Sequence, residues 1–312
     1  MQQLLPGYEP THSEFVDLMT PQERIDRALI LLRENEPDDG YYLAFSGGKD
    51  SVVIKRLAEM ATVKFDAWYN NTTIDPPELV KFIKSHHADV RWNQPKHGSM
   101  MARVATKNGL PPTRSMRWCC DEYKEQGGDS RMKIFGVRGA ESAARSRRWS
   151  EISMDAYKNT AICPIVHWSD AHVWEFIRSE NVPYCSLYDE GWTRLGCVGC
   201  PLNPQSQAKE FERWPRYREN WKRAIIKNWD AFKDVPRRDG KPRYHAKFKT
   251  GDDMWQWWLS TNAPDYFRGD CQSMMLWTSE DGLPFFDPQN SQAIPREALG
   301  SATCSTPEEN QP

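Results

Sequence analysis

Three groups of residues in this 312-residue chain have the types and spacing to do chemistry. The first is Ser46-Gly47-Gly48-Lys49-Asp50-Ser51. Its glycines let backbone approach a ligand closely, and a helix beginning at Ser51 would aim free N–H groups and a positive dipole end at the same point. Phosphate is the natural guest. The hexapeptide matches neither the Walker spacing nor the dinucleotide pattern G-x-G-x-x-G; a lone Gly-Gly would read as a plain strand-to-helix turn. The second group is Gly136-Val137-Arg138-Gly139-Ala140-Glu141-Ser142-Ala143-Ala144-Arg145. Planar guanidinium groups at Arg138 and Arg145 suit a second clamp on phosphate or sulfate, while Arg147 and Arg148 read as a solvated basic turn.

The third group is Cys119-Cys120 with Cys197-Val198-Gly199-Cys200-Pro201, 77 residues further on. Four thiolates suit tetrahedral zinc or a 4Fe-4S cluster, and their geometry alone does not separate the two. The blander reading buries Cys119 and Cys120 as small hydrophobes and leaves Cys197 and Cys200 as a redox pair. Cys163 and Cys185 are expected in the core. Lys124 and Arg194 would neutralise cluster or phosphate charge, or else be surface cations.

These groups need a scaffold. Thr20-Pro21-Gln22-Glu23 has the form of a capping box, and Ile25, Leu29 and Leu32 recur on one face, so a helix is expected over 21–33. Tyr41 to Phe45 reads as a buried strand that delivers the Gly-rich loop, and Ser51 to Met60 as the helix after it. Phe65 to Tyr69 is a second strand. Asp75-Pro76-Pro77-Glu78 reads as the cap of a helix with Leu79, Phe82 and Ile83 on its face. Val90 to Trp92 and Lys133 to Val137 are further strands, with a helix near Met100 to Lys107 between them. Ser169-Asp170 caps another helix, with Val173, Trp174 and Ile177 on one side. This alternation predicts an α/β fold, a parallel twisted sheet with helices on both faces, and puts the Gly-rich loop at the carboxyl ends of the strands, where such sheets bind ligands.

From Pro204 the pattern turns helical, with Phe211, Trp214, Tyr217, Trp221 and Ile225 on one stripe interrupted by Pro215. Residues 207–249 hold 14 Lys/Arg against 6 Asp/Glu in a chain of net charge −2. Such a segment suits a polyanion through phosphate contacts and base stacking, or it packs its aromatic face on a core and leaves the charges solvated. The expected division is an N-terminal segment 1–19, an α/β domain 20–203, a basic, Trp-rich helical extension 204–286 and a disordered tail 287–312. No apolar run approaches the roughly 20 residues needed to span a bilayer. Met1 to Pro10 does not read as a signal peptide, so no membrane and a cytoplasmic address are expected, with cysteines as thiols or ligands rather than disulfides.

The Gly-rich hexapeptide resembles the PP-loop, S-G-G-x-D-S, of the adenine nucleotide alpha hydrolase superfamily. Over roughly residues 40 to 205 the chain is similar to the phosphoadenylyl sulfate (PAPS) reductase family, because the arginine stretch also resembles that family's G-x-R-x-x-E/Q-S-x-x-R motif. The resemblance implies that Ser46, Gly47, Gly48, Lys49, Asp50 and Ser51, with Arg138, Ser142 and Arg145, bind the nucleotide. Lys49, Asp50 and Arg138 would take part in catalysis. Asn71 and Thr72 stand where the family carries a Leu-Asp-Thr-Gly-type nucleotide motif, from which Tyr69-Asn70-Asn71-Thr72-Thr73 departs. The cysteines resemble the set that holds a 4Fe-4S cluster in cluster-bearing sulfonucleotide reductases, which implies Cys119, Cys120, Cys197 and Cys200 as ligands, with Zn2+ as the alternative.

Reductases of this family attack the nucleotide's sulfur with a cysteine in a C-terminal Glu-Cys-Gly-Leu-His motif, which this chain lacks. Cys271 and Cys304 are the thiols placed late enough, and Cys271 is the candidate nucleophile. PAPS or adenylyl sulfate would be the substrate and a thioredoxin-like protein the electron donor. The competing branch uses ATP with Mg2+, releases pyrophosphate and thiolates tRNA or DNA, with residues 207–249 contacting the nucleic acid. A third class is a non-catalytic nucleotide-binding regulatory module. Further copies of the chain, forming a homo-oligomer, are also expected partners.

Overall fold

The computed structural model describes residues 16–128 and 130–261. The expected tail 287–312, most of the N-terminal segment, Cys271 and Cys304 lie outside the described residues. The chain runs α1 (Pro21–Glu34), β1 (Tyr41–Phe45), α2 (Lys49–Ala61), β2 (Phe65–Asn70), α3 (Pro77–His86), β3 (Arg91–Asn93), α4 (Met100–Thr106), α5 (Trp118–Tyr123) and β4 (Lys133–Ile134). It continues with α6 (Ala143–Arg148), β5 (Ile152–Met154), β6 (Thr160–Ile162), α7 (Asp170–Ser179), α8 (Pro204–Arg213), α9 (Pro215–Phe232) and α10 (Gly251–Thr261).

The α/β fold is the one expected: one six-stranded sheet of order β3-β2-β1-β4-β6-β5. Its strands are parallel except β5, which closes one edge antiparallel to β6. Local signals set the first elements. Thr20 and Glu23 form the capping box of α1, and Ile25, Leu29 and Leu32 are buried. Alternation along β1 then divides the sheet's faces. Tyr41, Leu43 and Phe45 belong to the core; the Tyr41 hydroxyl donates to the Leu32 carbonyl of α1 at 2.8 Å, and Phe45 packs on His87. On the other face Tyr42 stacks on Trp68.

Several expected boundaries moved for physical reasons. Lys133 to Val137 pairs as a strand over Lys133–Ile134, because beyond it the chain turns toward α2. The three-residue strands β5 and β6 carry too little pattern to be seen in sequence. Asp75 does not cap α3, whose N-cap is Pro76 without a side-chain bond. Its carboxylate is buried instead, accepting hydrogen bonds from the hydroxyls of Tyr69 (2.5 Å) and Thr72 (2.8 Å). On α7 the buried residues are Val173, Phe176 and Ile177, while Trp174 is half-buried against Tyr184 and Tyr188.

After residue 203 the chain folds back on the sheet domain. Pro215 separates α8 from α9, as its position predicts, and α9 packs along α4 and α10. Trp221 of α9 stacks on Trp258 of α10, which stacks in turn on Trp255; all three are fully buried. The Trp258 indole donates to the Pro112 carbonyl at 2.6 Å, and Asn228 donates to that of Lys107 at 3.0 Å. The aromatic stripe of the basic segment is thus core, and Trp214 and Trp221 offer no stacking surface to a base. Among the described residues no helix is long and apolar enough to cross a membrane.

Candidate functional site

The sheet order reverses between β1 and β4: the chain builds outward through β2 and β3 and then returns to the opposite side of β1. At such a switch point the loops leaving the two central strands part and open a crevice. Here those loops are the Gly-rich hexapeptide after β1 and the arginine stretch after β4. Gly48 is the N-cap of α2, so the helix starts two residues earlier than expected and Lys49 to Ser51 form its first turn. Gly47 has φ +76°, and a Cβ there would lie 2.7 Å from Ile83 Cδ1 of α3, so any side chain at this position is strained.

The loop's donors have protein partners. The Lys49 N–H donates to the Tyr188 hydroxyl at 2.9 Å, and the Ser51 hydroxyl donates to the Gly48 carbonyl at 2.8 Å. Lys49 Nζ donates to the Thr193 carbonyl at 3.0 Å and lies 3.2 Å from Asp170. Arg138 is buried and makes two ion pairs, to Asp50 at 2.6 Å and Asp170 at 2.9 Å. Lys49, Asp50 and Arg138 therefore meet, with Asp170 as a fourth member that the sequence did not single out. Asp170 is the exposed member, its side chain 59% accessible, and so the one a phosphate or sulfate would displace at least cost.

Ser142 accepts from the Arg145 N–H at 3.2 Å and caps α6. Arg145 pairs with Glu141; burial and the neighbouring Arg194, Arg138 and Arg117 push its pKa down, the signature of a cation held among cations. Arg145, Arg194 and Arg117, but not the buried Arg138, open on a cavity of about 700 Å3. Its floor is the open sheet face, Tyr42, Ala44, Asn70 and Phe135, and its ends are marked by Lys133 with Asp155 and by Arg117 with Lys124. Seven Lys and Arg side chains line it against Glu125 and Asp155. Arg147 and Arg148, read from sequence as merely solvated, are exposed but line the cavity. The hexapeptide residues are not among the lining residues. Neither are Asn71, which donates to Gln94 at 3.0 Å, and Thr72, which points at Asp75.

The cysteine pairs approach each other behind the cavity. The Cys119 thiol donates to Cys120, which raises the Cys119 pKa and lowers that of Cys120 to about 6; Arg117 and Lys124 help stabilise the Cys120 thiolate. Cys119 also feels Cys197 and Cys200. Burial pushes Cys197 up to about 12 and raises Cys200. Lys124 shifts upward, chiefly through Cys197 and then Asp75, Cys200 and Cys120. Lys124 lowers the Cys197 pKa, but burial of the thiol outweighs it and keeps Cys197 protonated. Among the described residues no three His, Cys, Asp or Glu side chains converge as ligands of a single ion. The four cysteines stand as two pairs with the cation Lys124 beside them. Cys163 and Cys185 are buried core residues, as expected.

The α/β sheet brings the Gly-rich loop and the arginine stretch together at its switch point, where sheets of this class bind ligands. The phosphoadenosine phosphosulfate reductase domain matches residues 40–203, and the chain belongs to that family. An uncharacterised protein of Methanocaldococcus jannaschii is 29% identical over 198 residues, 59% of this chain and 41% of the relative. An adenosine 5'-phosphosulfate reductase of Lysinibacillus sphaericus is 33% identical over 188 residues, 55% of this chain and 79% of the relative. A probable FAD synthase of Caenorhabditis briggsae is 25% identical over 195 residues, 60% of this chain and 35% of the relative. The chain spans less than half the length of the archaeal relative.

Tyr188, Thr193 and Asp170, which hold the hexapeptide, were not read from sequence as functional. The hydroxyl, carbonyl and carboxylate that they contribute come from chain 120 to 145 positions away, and no local pattern announces them.

Proposed function

We propose that the chain is a sulfonucleotide reductase-type enzyme that binds adenylyl sulfate or its 3'-phosphorylated form, with a 4Fe-4S cluster on Cys119, Cys120, Cys197 and Cys200. The observation that carries this reading is the cavity, which joins the arginine motif (Ser142, Arg145) to residues flanking both cysteine pairs, Arg117 and Lys124 on one side and Arg194 and Leu202 on the other. An anion drawn in by Arg145 and Arg194 would lie beside the thiols. The Asp50–Arg138–Asp170–Lys49 network would orient the loop and give up Asp170 to the incoming phosphate.

In the reaction a cysteine thiolate attacks the sulfate sulfur, forming an S–S bond as the S–O bond to phosphate breaks. The nucleotide leaves with the bonding pair on a phosphate oxygen, where the arginines balance the charge. A dithiol protein then reduces the enzyme thiosulfonate, releasing sulfite and regenerating the thiol while the dithiol becomes a disulfide. Cys271 is the candidate for the attacking thiol. A bound cluster would supply redox capacity beside the sulfate, with Lys124 and Arg117 to offset the charge of its thiolates.

One observation favours the ATP branch: among the described residues the thiols outside the four-cysteine group, Cys163 and Cys185, are buried and cannot attack. In that branch ATP binds with Mg2+ and is split to pyrophosphate before sulfur reaches an acceptor such as tRNA or DNA. Likeness to a probable FAD synthase is compatible with it. The test compares anaerobic protein supplied with adenylyl sulfate or PAPS plus thioredoxin against protein supplied with ATP. Sulfite release that disappears in Cys271→Ser supports the reductase; pyrophosphate release without sulfite replaces it with the ATP branch.

A further inference from the structure

The two residues between Cys197 and Cys200 have no free backbone polar group. The Val198 N–H donates to the Ile74 carbonyl at 2.8 Å, and the Val198 carbonyl accepts from the Trp221 indole at 3.0 Å. The Gly199 N–H donates to Glu210 Oε2 at 2.6 Å, and the Gly199 carbonyl accepts from the Gln207 amide at 3.1 Å. Three of these four partners come from α8 and α9. All three are buried, and all lie beyond residue 203, where the match to the family domain ends. Gly199 has φ +76°, and a Cβ there would sit 2.5 Å from the Phe211 ring and 2.8 Å from Trp221 Nε1. The extension therefore meets the loop flush, with no room for a side chain between them.

A Cys-x-x-Cys pair presents both sulfurs to one partner only if the two residues between them hold one conformation. A dipeptide with a left-handed glycine has many others when its amides are free. We infer that Gln207, Glu210 and Trp221 are positioning residues for the cysteine site, and that α8 and α9 clamp the Cys197–Cys200 loop in the conformation that presents its sulfurs. The inference rests on the reading that these cysteines act together with Cys119 and Cys120. It gives the extension a role distinct from nucleic-acid contact.

The test is residue-resolved alkylation of the metal-free, reduced full-length protein with iodoacetamide, read by peptide mass spectrometry in wild type, Gln207→Ala, Glu210→Ala, Glu210→Gln and Trp221→Phe. Losing one buried hydrogen bond to the loop should speed labelling of Cys197 and Cys200 about tenfold in the two alanine variants and less in Trp221→Phe. Cys163 and Cys185, buried outside the clamp, should keep their wild-type rates. Glu210→Gln keeps an acceptor oxygen for the Gly199 N–H and should restore slow labelling. Unchanged rates at Cys197 and Cys200 in both alanine variants, a parallel rise at Cys163 and Cys185, or a Glu210→Gln that labels like Glu210→Ala would each overturn the clamp. Iron and acid-labile sulfide after anaerobic reconstitution test the cluster separately: wild-type protein that takes up neither removes the cluster reading but leaves the labelling pattern to decide the clamp.

Discussion

Lys49 and Arg138 beside the Gly-rich loop are held by carboxylates, whereas the Cys197–Cys200 loop is held through its backbone. The first arrangement is exchangeable. Asp170 is exposed, its bonds to Lys49 and Arg138 are ionic, and a phosphate or sulfate presents the same charge and the same acceptor oxygens. The second is not exchangeable, because its partners are the Ile74 carbonyl and three buried side chains of α8 and α9, and no solvent-borne group can replace them. A site that binds and releases a ligand each cycle needs the first kind of support, and a site that keeps its ligand needs the second.

The largest expected effect tests the rigid side. Gly199→Ala puts a Cβ into the Phe211 and Trp221 rings at a left-handed φ and should lower unfolding free energy by about 4 kcal/mol in urea titration. Gly47→Ala has the same φ but meets the ends of the Ile83 and Leu79 side chains, which can shift; a loss of about 2 kcal/mol is expected. Equal losses would show that the two loops are equally unyielding.

Acid is the next lever. Burial lowers His87, beside α3, and His245, beside α9, to about 4. The native state holds both rings neutral while the unfolded chain takes up protons below 6.5. Their stabilising contribution is therefore complete above about pH 6.5 and is lost as pH falls toward 4, up to about 3 kcal/mol for each ring. His245 shares a 2.8 Å hydrogen bond with Asn228. His245→Gln should flatten the rise of stability between pH 4 and 6.5, and an unchanged slope would remove His245 from the account.

On the exchangeable side, Lys49→Ala should weaken adenine nucleotide binding about tenfold to hundredfold, since it deletes a charged donor. Asp170→Asn should act in the opposite direction and more weakly, tightening binding by up to about fivefold, because an exposed carboxylate competes for less than about 1 kcal/mol. Weaker binding in Asp170→Asn would mean that Asp170 serves the ligand rather than standing in for it.

What could be read in the sequence followed the range of the forces involved. The Thr20–Glu23 capping box, the strand Tyr41–Phe45 and the break at Pro215 are set by neighbours within a few residues, and they stand where expected. Asp75 was read as a helix cap because the local pattern allows it, but Tyr69 and Thr72 claim its carboxylate in the fold. Lys133 to Val137 has the composition of a longer strand, yet only Lys133–Ile134 pair as one, with the Phe135 N–H still bonded to the Ile162 carbonyl. At the site, the hexapeptide, the arginine motif and the cysteine pairs were legible as types and spacings. Their supports were not, since Tyr188, Asp170 and Glu210 act across the fold and carry no motif. The tryptophans of residues 207–249 allowed two readings, and burial of Trp214 and Trp221 selects packing.

The most direct test of the central claim is equilibrium titration of adenylyl sulfate into wild-type protein and the Arg145→Ala/Arg194→Ala double variant, followed by calorimetry. Both arginines line the cavity beside the cysteine pairs, and the account predicts binding about a hundredfold weaker in the variant, with its fold intact by circular dichroism. Equal affinity in the two proteins would place the nucleotide elsewhere and contradict it.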